Sequence, residues 1–365
     1  VERKELQQQS KSTDLATLLQ RQAAHRPQDT AYVFLENGER EAGRLTYSEL
    51  DQRARGVARR LLQTARPGDR ALLMFPNGIE FLVAFFGCVY AGISAVPAYP
   101  PKVDRRRQSQ RFQRLISILE DAEPTLALTT GAVLDARDTL VEQAPAFARP
   151  TWIATETLPA EAPGGALVDE AYGWDRIAYL QYTSGSTSSP KGVMVSHGNL
   201  MTNFLELTAG VQMREGDTMV SWLPAFHDMG LIFGMLLPLF NGIPCYLMTP
   251  EAFVQKPRRW LRALARYRGT HAAAPNFALD LCVDRIDESE LATLDLSAWR
   301  VLLNGAEPLK ITSIQRFTER FAACGFPGNG VVPGYGLAEA TLGVSIHPPE
   351  DPVAAVPLDP EALAE

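Results

Sequence analysis

The stretch YTSGSTSSPKGV, residues 182–193, gathers small residues, a run of Ser and Thr hydroxyls and a single lysine. It packs no core and shows neither helical nor strand periodicity. Small residues let backbone N–H groups come close to a ligand, hydroxyls add donors, and Lys191 adds charge; a polyphosphate suits that set. The apolar runs IAYLQY (177–182) and VMVS (193–196) flank it, so it reads as a loop between two strands. A Walker A loop is excluded, because Pro190 and Gly192 stand where G-x-x-x-x-G-K-S/T needs its second glycine and its hydroxyl. A flexible Ser/Gly linker is the plain alternative. Linkers, however, rarely sit between two apolar strands or carry a Pro-Lys-Gly turn.

Four more polar segments follow apolar, strand-like runs. SWLPAFHDMG (221–230) offers His227 and Asp228, and AAAPNF (272–277) ends in a turn. LLNGAEP (302–308) places Gly305 and Glu307 just past an apolar run, and VVPGYGLAEATLG (331–343) offers Tyr335, Glu339 and Thr341. Their placing matters because open α/β sheets bind ligands outside the carboxyl ends of their strands. Each residue also has an ordinary reading: Tyr335 as a core aromatic, Glu339 as a charge at a helix start, His227 with Asp228 as a capping pair.

The elements that must hold these segments alternate along the chain. Helices are expected over 12–27, 45–63, 78–90, 111–124, 229–240, 256–268 and 311–324. Strands are expected over 70–75, 93–99, 125–130, 217–224, 243–248, 270–277 and 299–308. Such alternation means an α/β architecture with largely parallel sheets. A Pro/Ala/Gly-rich connector, 144–172, divides it into a first subdomain, 1–172, and a second, 173–345, with 346–365 beginning a further region.

The chain of 365 residues is 46% hydrophobic and 21% charged, ordinary for a globular protein. A formal net charge of -7 argues against a nucleic-acid partner, and DRRRQSQR (104–111) reads better as the start of a solvated helix. Cys88, Cys245, Cys282 and Cys324 lie in apolar contexts without a C-x-x-C pair, which points to reduced core residues and a cytoplasmic setting. The histidines show no metal-ligand spacing. The polar N-terminus does not resemble a signal peptide and lacks Met. The uncharged stretches 81–101 and 230–248 are long enough to span a bilayer, but both break at glycines and then carry proline. They are expected to be a buried helix, a glycine cap and a buried strand, so no integral membrane segment is expected.

YTSGSTSSPKG, NGAEP and GYGLAEAT, in that order, resemble the acyl-adenylate-forming superfamily of acyl-CoA synthetases, luciferases and peptide-synthetase adenylation domains. LQYTSGSTSSPKGV, WLPAFHDMGL, APNFALDLC and NGAEPLK narrow the resemblance to the fatty acyl-AMP ligases found beside polyketide synthases. The resemblance implies two stacked, mostly parallel sheets flanked by helices, the large N-terminal domain of adenylate-forming enzymes. It implies ATP, Mg²⁺ and a fatty acid as ligands, and an acyl carrier protein as partner. Thr183, Ser184, Gly185, Ser186, Thr187, Lys191 and Gly192 would wrap the β- and γ-phosphates. Glu339 would ligate Mg²⁺, and Thr341 would donate to the α-phosphate. Tyr335 and Gly336 would face one side of the adenine, and Asn304, Gly305, Ala306 and Glu307 the other. His227, with Asp228, Met229 and Gly230, would sit by the acyl carboxylate, and Asn276 and Phe277 would line the acyl pocket. Lys191, His227 and Glu339 are the residues that the resemblance makes catalytic.

Two departures stand out. The family's phosphate loop usually reads Thr-Gly where this chain has Thr187-Ser188, a form familiar in fatty acyl-AMP ligases. The family also continues into a ribose-binding aspartate, a hinge and a small mobile domain with a catalytic lysine, none of which appears by Glu365. An incomplete catalyst is therefore expected. The rival readings are a fatty acyl-CoA synthetase, an amino-acid adenylation domain and a non-catalytic adenylate-binding module. The amino-acid reading is weakened by APNFALD, where Asp280 falls four residues beyond Asn276.

Overall fold

A computed structural model describes residues 14–101, 110–161, 167, 173–183 and 190–355. The fold is α/β, built on two mostly parallel sheets flanked by helices. Six strands form one sheet: β3 (Arg70–Met74), β4 (Ser94–Ala98), β5 (Leu126–Thr129), β6 (Thr151–Ala154), β7 (Ile177–Thr183) and β8 (Lys191–Ser196), in the order β6-β5-β3-β4-β7-β8. The other has eight: β1 (Thr30–Glu36), β2 (Arg40–Thr46), β9 (Met219–Ser221), β10 (Cys245–Leu247), β11 (His271–Ala274), β12 (Val301–Asn304), β13 (Val331–Gly336) and β14 (Gly343–Ile346). Its order is β14-β13-β12-β11-β9-β10-β1-β2.

Among the described residues, antiparallel pairing occurs only where a hairpin closes an edge, at β1–β2, β7–β8 and β13–β14. The sheets trade strands across the 144–172 connector: β1 and β2 join the later strands, and β7 and β8 close the earlier sheet. Asn37 and Gly38, both at positive φ (52° and 71°), make the β1–β2 turn, the conformation an Asn-Gly pair adopts most cheaply. The sequence reading passes over that hairpin and over helix His197–Gly210.

The helices form where periodicity and caps agree. The first, α1 (Leu15–His25), starts at Asp14, whose carboxylate accepts from the Thr17 N–H. The next, α2 (Tyr47–Leu61), opens on a Thr46–Glu49 capping box. It packs on α3 (Ile79–Ala91), in which every residue from Phe81 to Ala91 is buried. Helix α4 (Gln110–Ala122) covers the outer face of the six-stranded sheet. Alternation along β3 sends Ala71 and Leu73 into the main core and Leu72 and Met74 into a smaller one with Phe112, Leu115 and Phe147.

Both stretches tested as membrane spans are core, and among the described residues no helix is long and apolar enough to cross a membrane. The four cysteines are buried and free. One element differs in kind from its expectation. Met229–Leu236 winds as a π-helix before a short α-helix, Leu237–Asn241, takes over. Wide π turns are rare and tend to mark functional sites.

Candidate active site

Three of the polar motifs, 221–230, 302–308 and 331–343, converge at the carboxyl ends of β9, β12 and β13. There a cleft of about 600 Å³, counting the solvent at its mouth, is lined by His227, Asp228, Met229, Gly305, Ala306, Tyr335 and Gly336 together with apolar neighbours. Tyr335 is 63% exposed, so its ring is an open platform rather than a core aromatic. Gly305 and Gly336 are required by close approach. A Cβ on Gly305 would stand 2.7 Å from the Gly334 carbonyl oxygen, and one on Gly336 would stand 1.9 Å from that of Leu342. Ala306 sits at φ 67°, which turns the chain sharply out of β12.

His227 is exposed beside the start of the π-helix. Its Nδ1 lies 2.7 Å from Asp228 Oδ1, and the Met229 N–H donates to the same oxygen at 2.6 Å. Met229 N also approaches Nδ1 at 3.3 Å. The shorter contact decides the tautomer: a hydrogen on Nδ1 is donated to Asp228, which leaves Nε2 without a protein partner among the described residues. Asp228 thus caps the helix and orients the ring together, so the capping reading of this pair holds in the geometry.

A family profile described as AMP-binding enzyme matches residues 19–359. The chain belongs to the AMP-binding enzyme family. It is 41% identical over 350 residues to the medium-chain-fatty-acid–[acyl-carrier-protein] ligase JamA of Moorena producens, covering 96% of this chain and 59% of that protein. It is 39% identical over 353 residues to the long-chain-fatty-acid–AMP ligase FadD32 of Mycolicibacterium smegmatis, covering 94% and 55%. A fatty acyl-adenylate ligase from L. pneumophila, solved in complex with acyl adenylate and pyrophosphate, superposes with a TM-score of 0.82 at 37% identity, over 92% of this chain and 57% of that one. The chain therefore spans little more than half the length of these relatives.

Within this fold the remaining described candidates do not line the cleft. Thr183 ends β7 and Lys191 begins β8 as its exposed register partner, with Gly192 opposite Tyr182. Ser184, Gly185, Ser186 and Thr187 lie outside the described residues. Asn304 is buried, its amide donating to Ala274 O at 2.9 Å, while its Oδ1 has no partner among the described residues. Glu307 accepts the Phe277 N–H at 2.6 Å. Glu339 is exposed on the short 3₁₀ turn Ala338–Ala340. Thr341 follows it at φ 72°, ψ -63°, a strained conformation for a β-branched residue. Gly230 is buried beneath the Pro224 carbonyl.

Asn276 stands apart from the cleft. Its Nδ2 donates to Ser313 Oγ at 3.1 Å and its Oδ1 accepts the Lys310 N–H at 3.0 Å, tying together helices Asn276–Arg285 and Ile311–Ala322. Phe277 is half exposed and sets its ring edge against Trp222.

Sequence reasoning misses the residues that complete this cleft. Leu207, Leu303, Leu342, Ser345 and Ile346 line it. Asn203, on helix His197–Gly210, holds the Gly343 backbone from both sides: its Nδ2 donates to the carbonyl at 3.2 Å and its Oδ1 accepts the N–H at 3.1 Å. A Ser196–Asn199 capping box was the available signal for that helix.

Proposed function

We propose that the whole protein uses ATP and Mg²⁺ to activate a medium- or long-chain fatty acid as acyl-AMP, releasing pyrophosphate, for transfer to an acyl carrier protein. The observation that carries this reading is the convergence of His227–Met229, Gly305–Ala306 and Tyr335–Gly336 on one cleft at the strand ends. A carboxylate oxygen of the acid attacks the α-phosphorus, an O–P bond forms, and the bond to the β-phosphate bridge breaks. Catalysis is then a matter of alignment and of charge placed where the phosphates gain it.

The exposed Tyr335 ring stacks on one face of the adenine, and the Gly305–Ala306–Glu307 backbone borders the other. Nε2 of His227, its ring held by Asp228, meets the acyl carboxylate. Lys191 and the hydroxyls that precede it bind the β- and γ-phosphates, and Thr341 donates to the α-phosphate. Glu339 makes no hydrogen bond or ion pair among the described residues, and no cluster of three metal-ligating side chains occurs among them. A lone free carboxylate fits Mg²⁺, which is commonly held by one or two carboxylates and by substrate phosphates. Bound there, the ion would neutralise phosphate charge. The names of the ligases JamA and FadD32 support a fatty-acid substrate, and the name of JamA supports a carrier-protein acceptor. The buried, unpaired cysteines support a cytoplasmic setting.

The test is mass spectrometry of the full-length protein given ATP, Mg²⁺ and dodecanoic acid, with and without CoA. Acyl-AMP that persists beside CoA is expected. Conversion to acyl-CoA would overturn the acceptor, and the absence of any adenylate would overturn the reading itself.

A further inference from the structure

The loop that carries His227 belongs to the eight-stranded sheet, but it is held by the other sheet. Asn77 follows β3 and is 7% exposed. Its Nδ2 donates to Leu223 O at 2.7 Å and to Met248 O at 3.4 Å, and its Oδ1 accepts the Ala225 N–H at 2.9 Å. Because one partner is a donor and the others are acceptors, the amide has one orientation only. Gln181, buried on β7, donates from Nε2 to Phe226 O at 2.8 Å. Two amides of one sheet thereby grip Leu223, Ala225 and Phe226, up to the residue before His227.

Gln181 makes little sense as simple sheet-to-sheet packing. Its Oε1 is buried without a partner among the described residues, and an orphaned polar atom in the core costs stability. A methionine of similar volume would fill the space without that orphan. What it would lose is the bond to Phe226 O. Misplacing a reacting group by about 1 Å can cost on the order of a hundredfold in rate, so a buried amide that fixes backbone can be worth its desolvation.

We infer that Asn77 and Gln181 are positioning residues: amides of the six-stranded sheet fix residues 223–226 and so set where His227 stands at the cleft. The inference rests on the proposed role of His227 toward the acyl carboxylate, and the test separates the two. Three variants, Gln181→Met, Asn77→Ala and His227→Ala, are compared by titrating a non-hydrolysable dodecanoyl sulfamoyl adenosine and AMP. The His227 imidazole is followed by ¹⁵N NMR in the parent chain and in the first two variants.

Gln181→Met should keep its melting temperature and its AMP affinity, bind the acyl-adenylate analogue about tenfold more weakly, and shift the His227 signal. Adding His227→Ala to it should bring little further loss. Asn77→Ala removes the partner of three backbone groups and should also lower stability, which is why Gln181→Met carries the decision. An unmoved His227 signal in Gln181→Met overturns the inference outright. So does full additivity of the two substitutions, or equal weakening of AMP and the analogue. If His227→Ala alone leaves analogue affinity intact, the role of His227 is what fails, and a moved imidazole would still establish the positioning.

Discussion

Two histidine–aspartate pairs stand at opposite edges of the eight-stranded sheet. At the carboxyl edge, after β9, His227 is exposed and bonded to Asp228, with one ring nitrogen free among the described residues. At the amino edge His271, the first residue of β11, is fully buried. Its Nε2 donates to Val211 O at 2.9 Å, and Thr270 Oγ1 lies 2.9 Å from Nδ1. Asp217 Oδ2 stays 3.7 Å away, because that carboxylate is engaged by Arg300 and by the Arg214 N–H at 2.8 Å. The same two residue types thus line an open cleft at one edge and belong to a closed lattice of bonds at the other. Which edge they occupy separates them, since strand carboxyl ends in such sheets are where the backbone opens to ligands.

The sharpest way to break this contrast is to remove each ring. His227→Ala is expected to lower acyl-AMP formation by the full-length protein about a hundredfold with its melting temperature nearly unchanged. His271→Ala is expected to cost roughly 2–4 kcal/mol of stability, with activity per folded molecule retained. Activity assays beside thermal melts decide, and an inactive but stable His271→Ala would erase the distinction.

Asp217→Asn attacks the lower lattice from its acid. Losing the charge opposite the partly exposed guanidinium of Arg300 should destabilise by about 1–3 kcal/mol, read as a lower urea midpoint at an unchanged slope.

Acidity gives a milder test. Burial lowers the pKa of His271, reinforced by Arg300 and Arg214 and opposed by the Val211 carbonyl and Asp217. Burial also pushes His197, which accepts the Leu15 N–H at 3.3 Å, down to about 4 against the pull of Asp14. Both rings are held neutral in the fold, so between about pH 6.5 and 4 the unfolded chain binds more protons. Stability should therefore be greatest above about pH 6.5 and fall as the pH drops toward 4. Urea midpoints measured across that range should flatten in His197→Asn and in His271→Asn, and an unchanged slope in both would remove burial as the cause.

The smallest effect is expected at Thr341, where strain lies at the ligand edge. Thr341→Gly relieves a positive φ and should gain about 1 kcal/mol, while acyl-AMP formation falls for want of the hydroxyl. A loss of stability on that substitution would show that no strain is stored there.

The legible part of the fold was local. Apolar periodicity and caps placed α1, α2 and α3 within a residue or three of their ends, and the buried runs at β3, β4 and β12 were read as strands. The Met229–Leu236 segment was read as an α-helix because its composition is apolar throughout, and no periodicity separates a π turn from an α turn in such a run. Hairpin β1–β2 was missed although Asn37-Gly38 marks it, and β13–β14 closes on Thr341, which no turn rule favours.

The sequence by itself determined the α/β class, the reduced cysteine core and the motifs whose order marks the family. Those depend on residue type and short spacing, which folding leaves intact. The tertiary structure alone decided that β1 and β2 join the later strands and that His227 and His271 belong to different edges. It also decided that Asn276 ties two helices together and that Asn77 and Gln181 reach across to the His227 loop. These are contacts between residues from 34 to 213 positions apart, and such pairs meet only when the chain has folded, so no local pattern encodes them.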